Sequence, residues 1–179
     1  MFVSVTDIEE DESPPTNDPI TPPGTSEVYA NADRTRTGIV ISGSLQDTQI
    51  ADGVAQIFQE AGVPDGRIVH EWLFDVPTDA ETATVAIDAF HDSFDSEVFW
   101  LNYSTDGNNF RNLLTVSSQD ANGETLRRQL PDTVRGTVWL KFVDSQPTDD
   151  ENHDQLLVCL LYTSPSPRDA TLSRMPSSA

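Results

Sequence analysis

Residues 97–118 read EVFWLNYSTDGNNFRNLLTVSS, and this stretch decides the fold. Before its centre, Phe99, Leu101 and Tyr103 alternate with Val98, Trp100 and Asn102. After it, the run NLLTVSS is again short and rich in β-formers. Alternation with a period of two marks a strand with one buried face. Between the two runs, Asp106-Gly107 supplies residues that tolerate the positive φ of a tight turn. The stretch therefore predicts a β-hairpin.

The same texture spreads outward in both directions from about Thr37. TGIVISGSL is β-branched and bounded by glycine. IVHEWLFDV sets His70, Trp72, Phe74 and Val76 on one face and Glu71, Leu73 and Asp75 on the other. ATVAIDAF places Val85, Ile87 and Ala89 together, and GTVWLKFVD turns Val138, Leu140 and Phe142 inward, with Trp139 and Lys141 outward. QLLV opens a last strand. In QIADGVAQIFQEAG, Ile50, Val54, Ile57 and Phe58 have helical spacing, but Gly53 weakens a helix, and a strand over 54–60 is expected. Many short strands separated by turn signals predict an all-β protein, an antiparallel β-sandwich, over residues 37–158.

The flanks read differently. DIEEDESPPTNDPITPPGTSE carries Pro14, Pro15, Pro19, Pro22 and Pro23, which remove amide donors and fix φ. Residues 1–36 are accordingly expected to be the end of an upstream domain, MFVSV, followed by a mostly disordered acidic linker. At the other end, CLLYTSPSPRDATLSRMPSSA turns abruptly to Ser, Pro and Arg. Back-translated in one frame, residues 159–179 resemble a transposon-end adapter of the kind used in sequencing libraries. The expectation is a non-native, disordered tail that truncates the sandwich at its last strand.

Composition narrows the function. Against 10 Lys and Arg stand 30 Asp and Glu, a formal net charge of −20, and Lys141 is the sole lysine. Such a field repels phosphate backbones, so nucleic acid is excluded as a partner. It suits solubility in concentrated salt, a halophilic trait, or the binding of divalent cations. Cys159 is the one cysteine, which leaves no disulfide framework. No apolar run is long enough to span a bilayer, so no membrane insertion is expected.

Read together, GSLQDTQIADGVAQIFQE, HEWLFDV, FWLNYSTDGNNF, LPDTVRGTVWLKFVDS and HDQLLV resemble the galactose-binding-like jelly rolls of carbohydrate-binding domains. Such modules occur in large secreted bacterial and archaeal proteins, and the resemblance covers residues 37–158. It implies an accessory, non-catalytic module, extracellular or on the cell surface, beside other domains of the same parent chain. Where this family's closing strand usually places an Asp, Cys159 stands.

Searches for chemistry along the chain give little for catalysis. His70, His91 and His153 lack the His-Glu-x-x-His spacing of a zinc site, and no nucleophile elbow or phosphate loop occurs. His70, beside Trp72, reads as a core histidine. The strongest chemical candidate is a calcium ion. QDTQIADG offers Asp47 and Asp52, and DSQPTDDENHDQ offers Asp144. A jelly roll that joins its first and last strands would converge the three, and Ca²⁺ takes six to eight oxygens. For glycans, Trp100 and Trp139 are the candidate ligand-binding residues, although large aromatics are more often core. The expected function is a non-enzymatic binding module for glycans or cell-surface polymer, calcium-stabilised. A purely structural spacer of a surface or adhesin-like array, without ligand, is the alternative.

Overall fold

A computed structural model describes residues 26–61, 66–92, 98–117, 125–145 and 153–167. Its strands are β1 (Val28–Tyr29), β2 (Ala32–Thr37), β3 (Ile39–Ser42), β4 (Gln56–Gln59), β5 (Val69–Val76) and β6 (Ala80–Asp92), then β7 (Val98–Ser104), β8 (Arg111–Ser117), β9 (Leu126–Gln129), β10 (Gly136–Asp144) and β11 (Gln155–Pro167). A 3-10 turn covers Leu45–Thr48. Among the described residues no helix is long and apolar enough to cross a membrane.

The strands form two antiparallel sheets. The first has the order β3-β4-β11-β6-β9, with β1 joining β11 beyond β4; the second has the order β2-β5-β10-β7-β8. The protein is thus the antiparallel β-sandwich that the alternation demands. The inward sets are the expected ones: Trp72, Phe74, Val85, Ile87, Phe99, Leu101, Val138, Leu140 and Phe142 are wholly or almost wholly buried. At the centre, Trp72 meets Phe142 of its own sheet edge-on at 5.8 Å and Phe58 of the facing sheet at 5.6 Å. Such edge-to-face pairs add roughly 0.5–1.5 kcal/mol each to the area they bury. His70 is a core histidine, 1 % exposed and stacked between Phe58 and Trp72 at 4.3 Å from each.

The segment of mixed signals is extended, as expected: Gln56–Gln59 pair with β11 and β3. A glycine permits the close approach beside it. Gly43 has φ +75°, and a Cβ there would lie 2.4 Å from the carbonyl oxygen of Ala55. Gly107, with φ +70°, is the residue the hairpin turn needs.

Two boundaries are corrected. The acidic linker does not run to residue 36, because β2 pairs with β5 over Ala32–Thr37 and β1 pairs with β11. ADRTRT is an edge strand polar on both faces, with Arg34 and Arg36 on Glu71 outside and Asp33 and Thr35 bonded to Gln56 and His70 inside, and this polarity masks it. Nor does the sandwich end at Val158. β11 continues to Pro167 along the whole of β6, burying Leu161 and Thr163 completely. Leu160–Thr163 are apolar or β-branched, and β6 presents a 13-residue partner. Among the described residues nothing pairs with the other edge of β11 beyond Thr163, and an open edge is where prolines are tolerated. Cys159 sits at the register shift between Val158 and Leu160, so the change in composition coincides with a β-bulge.

Candidate binding surface

The second sheet turns a patterned face outward. Across its middle, one residue per strand, run Arg34, Glu71, Lys141, Asn102 and Asn112. On one side of this polar row lie Leu73, Trp139 and Ser104; on the other lie Val69, Val143, Trp100 and Thr115. Both tryptophans are therefore outward-facing, on neighbouring strands, with the charged row between them. Trp100 is 41 % exposed. Trp139 is half-buried: Arg34 stacks 4.3 Å over its ring, and Gly107 of the hairpin turn leaves room for its edge. A Cβ at position 107 would come within 3.0 Å of Trp139 Nε1. The preference of large aromatics for the core is overridden here, because the period-two alternation gives the inward places to their neighbours.

Glu71 is only 3 % exposed although it points away from the core. The covering comes from cations. Arg34 Nε donates to Glu71 Oε2 at 2.6 Å, and Arg36 Nε donates to the same oxygen at 3.1 Å. Beside them, Lys141 holds its Nζ 3.5 Å above the Phe110 ring, and burial lowers its pKa against the pull of Glu71, with a smaller push from Arg36. Reading along the chain missed this cluster, since Arg34 and Arg36 fell in the supposed linker. Alternate arginines ahead of a β-branched run were the available signal.

The turn after β7 shapes the rim of this face. Asp106 accepts hydrogen bonds from the amides of Asn108 and Asn109, from Asn109 Nδ2 and from Ser104 Oγ. Those from Asn109 do most to hold its carboxyl well below the usual carboxylate range. So saturated, it clasps the turn and is no general base. Next to it opens a cleft of about 440 Å³, lined by Tyr103, Asp106, Asn109 and Arg111 on one side and by Pro131, Thr133 and Val134 on the other.

The three aspartates expected to hold calcium are not brought together. Asp47 is spent on Ser44, accepting from its amide at 2.7 Å and its hydroxyl at 2.9 Å. Asp52 caps the amide of Val54. Both flank the start of β4, while Asp144 is buried beyond its far end, hydrogen-bonded to Glu60, which also accepts from the Asp154 amide. Among the described residues no group of three His, Cys, Asp or Glu side chains assembles as a metal site. Asp149, Asp150, Glu151 and Asn152 of the same loop lie outside the described residues. Two things separate the trio: the local turn chemistry of Asp47 and Asp52, and the length of β4.

No protein-family model matches the chain, and no curated protein is matched. Solved structures similar to it include a carbohydrate-binding module, TmCBM61, in complex with β-1,4-galactotriose. It is 14 % identical with a TM-score of 0.44, over 75 % of this chain and 89 % of that one. A family 29 carbohydrate-binding module is similar at 11 % identity and a TM-score of 0.46, over 78 % and 88 %. The CBM32 of AlyQ, in complex with 4,5-unsaturated mannuronic acid, is similar at 13 % and 0.43, over 76 % and 96 %. The class of the protein, an antiparallel β-sandwich, rests on its own two sheets.

Proposed function

We propose that the chain is a non-catalytic binding module for glycans or cell-surface polymer, working outside the cell beside other domains of a longer exported protein. The observation that carries this reading is the outer face of the second sheet. There an exposed indole, Trp100, and a half-exposed one, Trp139, flank a row of polar side chains. A lone exposed apolar residue needs no explanation, but aromatics paired across hydrogen-bonding groups match the two faces of a sugar ring. The residue likeness to galactose-binding-like jelly rolls points the same way.

The test is binding of the full chain to a panel of immobilised glycans. Trp100→Ala should weaken capture about tenfold to a hundredfold, the scale of a truncated aromatic anchor. Its melting temperature should stay near the parent's, because the side chain is exposed. Trp139→Ala should also weaken binding, with some loss of stability as Arg34 loses its ring. Capture unaffected by either change would exclude this face. Retention of no glycan at all would leave the ligand-free spacer.

A further inference from the structure

We infer that the outer face of the second sheet selects an acidic glycan, one carrying carboxylate or sulfate groups along its chain. The inference rests on the glycan-binding reading above and adds the charge class of the ligand. Three of the chain's ten basic side chains, Arg34, Arg36 and Lys141, gather on this face, in a protein whose net charge is −20. Chance placement of so few cations would scatter them among the acids. Here they gather about one carboxylate, Glu71, which they outnumber, while Asp75 lies further along β5 on Asn31 and Asp106 is spent on its own turn.

The way Glu71 engages them matters more than their number. Both arginines are held through Nε on a single oxygen, Oε2. A guanidinium has five N–H donors in a fixed fork, and the contact with Glu71 Oε2 occupies the Nε–H of each arginine. Both arginines keep 40 % or more of their side chains exposed. Arg34 is further fixed by stacking on Trp139, and Lys141 by Phe110. The result is a pre-ordered set of donors beside an aromatic platform, the geometry in which guanidinium forks meet carboxylate or sulfate oxygens. Burial disfavours the charged lysine, Glu71 favours it and Arg36 opposes it more weakly, so an arriving anion adds to the part that Glu71 already plays. The distant acids do not cancel this, since salt screens them beyond about 8 Å at physiological ionic strength.

The experiment is affinity electrophoresis of the full chain through gels containing polygalacturonate, dextran sulfate, a neutral galactan or poly-glutamate. Retardation by polygalacturonate, dextran sulfate or both, exceeding that by galactan, is expected, and which of the two acts identifies carboxylate or sulfate as the source. Arg36→Gln should cut that retardation at least fivefold while leaving the fold intact, because Arg34 still covers Glu71. Glu71→Gln should raise it severalfold by removing the competing internal anion. A merely structural ion pair would give no such gain. Equal retardation by galactan, untouched by Arg36→Gln, would overturn the charge class and leave the glycan reading standing. Poly-glutamate held as tightly as polygalacturonate would overturn glycan selection. Retardation by no glycan would remove the underlying reading itself.

Discussion

Glu60 and His70 are buried ionisable groups whose protons move stability in opposite directions. Glu60, 2 % exposed, accepts from the Asp154 amide at 3.3 Å and hydrogen-bonds Asp144. Burial first, and then the Asp144 contact, raise its pKa to about 8. It is therefore protonated in the fold at neutral pH, and its proton lies between two carboxyl groups. His70 is pushed down to about 4 by burial, against the pull of Asp33 at 3.2 Å, and stays neutral. Between pH 4.5 and 8 the folded Glu60 binds more proton than the unfolded chain does, so its contribution fades as pH rises through that window. Between pH 6.5 and 4 the unfolded His70 binds more proton, so its contribution fades as pH falls. The two slopes oppose each other from 4.5 to 6.5, and stability should plateau there and decline on both sides. Melting temperatures across about pH 3.5–9 check this. Glu60→Gln should flatten the decline from 6.5 to 8, and an unchanged alkaline limb would show that Glu60 is ionised in the fold.

Among the elements, β11 carries the most. It pairs with β6 over both their lengths and with β4 and β1 on its other edge. Its second half, residues 159–167, is the part that reads as foreign by composition. Codon likeness concerns where residues come from; the strand concerns what they do once present. Leu161 is fully buried in it. Leu161→Ala should cost about 2–5 kcal/mol, the range for emptying a core leucine, measured by urea unfolding. Ending the chain at Val158 should strip the outer half of β6 of its partner and abolish cooperative unfolding. If instead the shortened chain melts at the parent temperature, β11 contributes nothing beyond residue 158. Sequence reading sets this boundary wrong for a definite reason. Prolines and serines weigh as linker signals, while the four residues Leu160–Thr163 show no alternation and are a strand because they meet the long edge of β6.

For the molecule as a whole the dominant long-range quantity is charge. At −20 the compact state works against its own repulsion, which added salt screens. The melting temperature should climb steadily from low salt to about 1 M NaCl, as read by scanning calorimetry. A fall would mean that local pairs such as Arg34–Glu71 outweigh the global field. Binding to an acidic glycan should move the other way, weakening with salt, so stability and affinity are separable by one titration.

Much of the architecture was legible along the chain. Val85, Ile87, Phe99, Leu101, Val138, Leu140 and Phe142 all turn inward where alternation places them, because a strand sends successive side chains to opposite faces whatever surrounds it. The charge and the hairpin at Asp106-Gly107 are equally local facts. What only the tertiary structure decided is which distant residues become neighbours. Strand register sets Arg34 beside Glu71 and Glu71 beside Lys141, and sheet packing seals Glu60 against Asp144 and Asp154. It also holds Asp47 and Asp52 away from Asp144. Register is fixed by pairing between segments far apart in the chain, which no local period encodes, and so the cluster about Glu71 came from the fold while the alternating strands, and Trp100 and Trp139 on them, came from the sequence.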